Sequence, residues 1–287
     1  MRRLRDRMAM DLKIAGYSPS TRKIYLIHAR RFADHFGLSP AELGQNHIRE
    51  FLFHLIENHD ASRGTVRQVR AALRFLYTVT LNRPAEIGWL PPARHQKTLP
   101  VILSGTEVAA LLAAVRHVMY RTILMAMYAG GLRITEACRL LPEDIDSRRM
   151  LIHVRCGKGG VDRYTILSRR LLVQLRDYWT RCRPHVGGYL FPGRTRLRHA
   201  SPQSVRKVFR QALTDADITK DVTPHVLRHC FATHLLESGH DVSLVQALLG
   251  HRSMQSTQRY VHVTADYVAT TSSPLDILGT AQAVVLG

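Results

Sequence analysis

The strongest constraint on this chain is a break. Residues 81–100 read LNRPAEIGWLPPARHQKTLP, rich in proline and without apolar periodicity, so no long regular element is expected to cross them. The stretch reads as a linker, placed at 84–100. It separates an N-terminal part, 1–83, from a larger part, 101–265, and a weakly patterned tail, 266–287. A chain of 287 residues has room for two such domains.

The N-terminal part reads as helical throughout. The segment SPSTRKIYLIHARRFADHFG (18–37) offers Ser20 as a cap and spaces Ile24, Ile27, Ala29 and Phe32 in near-helical steps before a glycine stop. A second helix starts near Gly44. A third, ASRGTVRQVRAALRFLYTVT (61–80), repeats Arg63, Arg67, Arg70 and Arg74 along one face and Val66, Val69, Leu73 and Leu76 along another. A charge stripe is usually a solvated face. This one has no acidic residue four positions from any of its arginines, which points to an anionic ligand instead. With Arg22 and Lys23, these four arginines are the candidate DNA contacts.

Whole-chain charge points the same way. Lys and Arg number 41 against 22 Asp and Glu, a formal net charge of +19. A surface that basic attracts polyanions. The longest apolar run, TILMAMYAGGL (122–132), is too short to span a bilayer. The N-terminus is basic without the apolar core of a signal peptide, so a cytoplasmic protein is expected. The four cysteines form no C-x-x-C pair, which argues against a thiolate zinc site and a disulfide framework.

Beyond the break, helices are expected at 104–116 (capped at Ser104 or Thr106), up to the glycine pair at 130–131, at 168–182, 201–216, 223–238 and 241–250. The segment MLIHVRCGKGGVDRYTIL (150–167) holds two short strand-like runs about a glycine-rich turn, a hairpin signal.

The densest chemistry lies in HVLRHCFATH (225–234). His225, Arg228 and His229 share a helix face. Histidines four apart can hold zinc, but the glutamate of an H-E-x-x-H site is missing, and a fixed guanidinium between the ligands repels a dication. The same arginine suits a phosphate, close to a helix start marked by Thr223-Pro224. The cluster reads as an anion site. Four further features accompany it: Arg133 after the glycine pair, Lys158 in the hairpin turn, His251 after a helix-ending glycine and Tyr260 nine residues on. Each alone has an ordinary structural reading, Arg133 as an ion pair with Glu136 among them.

In this order the motifs GLRITE, the hairpin lysine, HVLRHCFATHLLESG and LLGHRSMQSTQRY resemble the tyrosine recombinase (phage integrase) family. The likeness spans about 99–263; the N-terminal helices resemble the family's core-binding, SAM-like domain more loosely. Xer-type and mobile-element recombinases look closest. Integron integrases are similar over KTLPVILSGTEV, without their insertion before the H-x-x-R box.

The resemblance implies a mainly α fold with a small β-sheet or hairpin in the catalytic domain, in a two-domain C-clamp-like architecture. It implies a metal-independent DNA strand transferase that forms a 3′-phosphotyrosyl intermediate through Tyr260. Arg133 and Arg228 would clamp the phosphate, His225 and His251 add hydrogen bonds, and Lys158 protonate the leaving 5′-oxygen, with Glu136 orienting the site. It also implies a double-stranded core site with inverted repeats, strand exchange through a Holliday junction in a tetramer formed on DNA by a free monomer, association with the nucleoid and room for an accessory protein. No cofactor and no metal are expected. The tail is expected to dock on a neighbouring protomer through Leu275, Ile277 and Leu278. Rival readings are a non-catalytic DNA-binding protein on the same scaffold, a type IB topoisomerase and, least favoured, a metal-dependent nuclease.

Overall fold

A computed structural model describes residues 2–57, 61–91, 101–155, 162–182, 187–195, 197–250, 273 and 275. The chain divides into two compact units, Met1–Lys97 and Thr98–Gly287. Lys158, His251 and Tyr260 lie outside the described residues, as do Cys156, Ile277 and Leu278.

The first unit is built from helices α1 (Arg2–Ile14), α2 (Pro19–Phe36), α3 (Gln45–Glu57), α4 (Arg63–Phe75) and the short α5 (Ala85–Gly88). The cap of α2 is Ser18, two residues earlier than the expected Ser20: its side chain accepts from the Thr21 amide, and Pro19 fills the first turn where an N–H would go unused. Gly37 closes the helix at φ 66, as the sequence predicts. Of the apolar set read from α2, Ala29 and Phe32 are buried while Ile27 stays exposed. Phe32 meets Phe51 of α3 edge-on at 5.3 Å, and the buried Tyr77 hydroxyl donates to the Pro40 and Leu43 carbonyls.

Two expectations change here. The linker does not begin at residue 84. Ile87 and Leu90 are buried in this core, and Glu86 accepts from the Gln45 amide at 2.6 Å while pairing with Arg83. Prolines end the long helix but leave a short turn with two apolar side chains to bury. The arginine stripe is also divided. Arg63 and Arg67 are exposed, whereas Arg70 and Arg74 donate to the Pro91 and Leu90 carbonyls and so hold this returning segment.

In the second unit, α6 (Gly105–Ala114) starts with a reciprocal capping box between Ser104 and Glu107. Helix α7 (Val118–Ala129) is buried along most of its last two turns, with Ile123, Leu124, Met127 and Tyr128 at 0 % exposure, which explains why its sequence lacks a polar stripe. After α8 (Ile134–Cys138) come β1 (Ile145–Asp146), β2 (Leu151–Val154) and β3 (Arg163–Ile166), an antiparallel sheet in the order β1-β2-β3. The hairpin register pairs Ile152 with Thr165 and Val154 with Arg163. Strand β1, two residues long, carries no period that could announce it.

Helices α9 (Arg169–Cys182), α10 (Pro202–Asp215), α11 (His225–Glu237) and α12 (Val242–Leu249) complete the unit. A buried cluster of Leu151, Ile166, Phe231, Leu235, Leu244 and Leu248 packs α11 and α12 against the sheet. Each such side chain contributes roughly 1.5–3 kcal/mol of burial. Cys138 and Cys230 are core residues and Cys182 is exposed, all three unpaired. None of the described helices is long and apolar enough to cross a membrane.

The tail departs from expectation at its one described apolar anchor. Leu275 is 2 % exposed within the core of its own unit, and its carbonyl accepts from Arg170 at 2.8 Å. It therefore docks in cis, because that core offers it the apolar surface it was expected to find on a neighbour.

The glycine pair is the tightest joint in this unit. Gly131 has φ +61, and a Cβ there would lie 2.5 Å from the Phe231 ring and 2.9 Å from Leu249. Strain and overlap act together, so Gly131→Ala is expected to lower unfolding free energy by about 3 kcal/mol or more. Urea unfolding of the purified variant checks this; a loss below about 1 kcal/mol would mean that α11 and α12 yield more easily than their packing indicates.

Candidate active site

Arg133 is delivered by a turn with two anchors. Thr165 of β3 donates through Oγ1 to the Gly130 carbonyl at 2.8 Å, and Arg228 of α11 donates to the Gly131 carbonyl at 2.6 Å. The chain then enters α8 with Arg133 as its N-cap and Glu136 at the third helical position. That carboxylate reaches back to accept from the Arg133 amide at 2.8 Å and pairs with its guanidinium at 2.6 Å. The ion-pair reading of Arg133 is thus realised, and it orients the arginine rather than hiding it: the Arg133 side chain remains 22 % exposed.

Glu136 holds more than one guanidinium. Arg163, at the start of β3, grips both its oxygens, at 3.1 and 2.7 Å, in a two-pronged contact. Arg228 lies 3.8 Å from the same carboxylate. Burial alone would push the Glu136 pKa up, but the hydrogen bonds and charge of Arg163, then those of Arg133, hold it at about 2. Three guanidinium groups share one carboxylate, leaving two positive charges in surplus.

Arg228 is the most buried of the three, 2 % exposed, and also donates to the Leu249 carbonyl at 2.5 Å. Burial, with Arg133 and Arg163 alongside, pushes its pKa down to about 9, Glu136 opposing, so it stays charged at neutral pH. Its two backbone bonds use two of five N–H groups, which leaves donors for an anion.

His225 and His229 meet edge to face at 4.9 Å. Burial chiefly lowers both pKa values. His229, Arg228 and Arg133 add to the effect at His225, and Arg228 adds to it at His229. Both rings are therefore neutral near pH 7, each with one donor and one acceptor nitrogen. His234 is a packing residue: its Nε2 donates to the Leu103 carbonyl at 3.1 Å and its Nδ1 is hydrogen-bonded to the Tyr128 hydroxyl at 2.9 Å.

Of the residues read from the sequence, Arg133, Glu136, His225 and Arg228 thus gather at one place. Arg163 was missed. In VDRYTIL it looked like an ordinary strand residue, yet strand alternation puts it on the face of the fully buried Thr165. A charge on that face requires a partner. Among the described residues, no group of three or more His, Cys, Asp or Glu side chains is gathered as a metal ion would need.

The Glu136 pKa carries a stability consequence. A carboxyl held at about 2 against an ordinary 4.5 stabilises the fold above the higher value and loses that contribution as pH falls toward the lower. Glu136→Gln is expected to cost about 3 kcal/mol at pH 7, with the gap to the natural protein closing between about pH 5 and 2. Urea midpoints across that range test it; a gap independent of pH would remove charge from the explanation.

Residues 102–266 match the phage integrase family, and residues 4–87 match the phage integrase N-terminal SAM-like domain. A putative integrase/recombinase of Sinorhizobium fredii is 42% identical over 278 residues, covering 96% of this chain and 89% of the relative. Tyrosine recombinase XerA of Thermococcus kodakarensis is 34% identical over 261 residues, covering 90% and 89%. A lambda integrase dimer bound to a core site shares the fold, with TM-score 0.69 at 19% identity, covering 88% of this chain and 95% of that one. The buried arginine cluster and these matches agree: the chain belongs to the phage integrase family and is a tyrosine site-specific recombinase.

Proposed function

We propose that this recombinase cuts and rejoins double-stranded DNA at a core site with inverted repeats, through a 3′-phosphotyrosyl intermediate, and exchanges strands through a Holliday junction within a tetramer assembled on the DNA. The single observation that carries this reading is the convergence of Arg133, Arg228 and His225 around one carboxylate, with a surplus of fixed positive charge. The lambda integrase structure, a dimer on its core site, supports a DNA partner and an oligomer.

In the first step the Tyr260 oxygen attacks the scissile phosphorus. A phosphorus–tyrosine bond forms as the bond to the 5′-oxygen breaks. The phenol proton passes to a neighbouring imidazole, His225 or His251, and Lys158 protonates the departing oxygen. The pentavalent transition state places extra charge on the nonbridging oxygens. Arg133, the more open guanidinium, meets them first, and the unused donors of Arg228 complete the clamp. A neutral His225 suits this role, since it offers an acceptor nitrogen at neutral pH. In the N-terminal unit, Arg22, Lys23, Arg63 and Arg67 contact the backbone. Arg70 and Arg74 serve first to hold residues 90 and 91.

A nicked suicide substrate tests the chemistry. The natural protein should leave an SDS-stable protein–DNA adduct in the presence of EDTA, and Tyr260→Phe should leave none. An adduct in that variant would move the nucleophile elsewhere, and loss of cleavage with EDTA would return metal chemistry to the table. Lys158→Ala should slow cutting of ordinary DNA and recover on a 5′-bridging thiolate, which leaves without a proton; failure to recover would take the acid's role from Lys158. Two labelled duplexes should yield joined recombinants, whereas relaxation of supercoils alone would mark a topoisomerase.

A further inference from the structure

We infer that Arg163 is a positioning residue for strand cleavage, a side chain that ties the orientation of the arginine clamp to the exit of α12 through Glu136. This rests on the site assignment just proposed. Three observations place Arg163 at that junction. Its Nη1 and Nη2 engage both oxygens of Glu136, the carboxylate that also holds the Arg133 amide and guanidinium. Its Nε donates to the Leu248 carbonyl at 2.9 Å, in the last turn of α12. Its Cδ lies 2.8 Å from where a Cβ on Gly250 would be, so the left-handed glycine that ends α12 closes directly over the arginine stem.

The consequence follows from chain connectivity. Gly250 is immediately followed by His251, and Tyr260 lies nine residues further on. Arg163 itself opens the strand that begins five residues after Lys158 in the sequence. One guanidinium is therefore bonded to the orienter of Arg133 and to the helix end that launches His251, and it sits on the strand that follows Lys158 in the sequence. At 9 % side-chain exposure, with three of its five N–H groups committed, it has no task in solvent. Lysine cannot reproduce this, because a point charge cannot grip both carboxylate oxygens and a backbone carbonyl in fixed directions. Arg163 touches no reacting atom in this scheme; it sets where those that do are held.

The test separates cutting from binding. For Arg163→Gln, single-turnover cleavage of the suicide substrate should fall on the order of 10–100-fold, the scale of a misplaced catalytic group, while the Kd for the same DNA stays within about threefold. Arg163→Lys, which retains charge and stem, should recover part of the rate, and it decides the matter by the same split if the Gln variant does not fold. Because Arg163 acts through Glu136, Arg163→Gln combined with Glu136→Gln should be no more than about threefold slower than the slower single variant. Cleavage within threefold of the natural rate would overturn the inference. So would a loss accounted for by weaker binding, or losses that multiply in the double variant. A Tyr260→Phe control distinguishes the two levels: if it still cuts, the site assignment has failed; if it is inert and Arg163→Gln cuts normally, only the role of Arg163 has.

Discussion

The catalytic unit depends on a carboxylate placed where guanidinium groups would otherwise repel each other. Glu136 accepts from Arg133 and Arg163 and lies 3.8 Å from Arg228. Without it, three cations on α8, β3 and α11 would face one another with little solvent between them. In such a setting an unpaired charge costs several kcal/mol. The pairing here is many-to-one, and this distinguishes the cluster from a structural ion pair. A fold seeking only stability would bring one acid for each base.

The neighbouring backbone is shaped to permit that arrangement. The glycine pair brings the chain so close to Phe231 and Leu249 that no side chain fits at Gly131, and its two carbonyls are satisfied by Thr165 and Arg228. Arg228 thereby acts as both strut and cation: it ties the turn that carries Arg133 to the end of α12 through Leu249. The apolar cluster beneath, Phe231, Leu235 and Leu248 on the sheet, keeps those donors and acceptors in register. Packing precision and charge placement are the same property here, because a shift of α11 moves a bonded guanidinium with it.

Much of this was readable in the residues, for a definite reason. Helix stops at Gly37 and Gly250, the capping serine at 104 and the hairpin about the glycine-rich turn are local devices whose signals lie within a few residues. Arg133, Glu136, His225 and Arg228 stand in short motifs, so their convergence could be anticipated from order alone. What escaped depends on partners far along the chain. Residues 84–90 looked like linker because prolines dominate locally, while Ile87 and Leu90 are settled by a core assembled from α1 to α4. Arg70 and Arg74 carry a second task that the sequence did not announce, because their carbonyl partners lie 21 and 16 residues away. Arg163 and Leu275 belong to the same class: each is defined by what it touches, Glu136 and Leu248 for one and its own unit's core for the other. Ser18 displaced Ser20 for a smaller reason, since Pro19 makes a better first helical residue than an N-cap.

The surplus charge also explains why the histidines are neutral. His225 sits within reach of Arg228 and Arg133, and its pKa is lowered by burial and by those cations. Protonating it would add a further positive charge to a cluster that already exceeds its carboxylate by two, so the imidazole keeps its lone pair. A phosphodiester brings one negative charge in the ground state and spreads a second over its oxygens as the nucleophile bonds. In the proposed reaction, the repulsion held in the free site is therefore relieved further at the transition state than on binding. That difference accelerates the chemical step, since only stabilisation that grows along the reaction lowers its barrier. A second carboxylate would make the free protein more stable and would cancel that difference; in the proposed reaction Glu136, the one acid paired with these guanidinium groups among the described residues, orients the cations and leaves their excess for the phosphate.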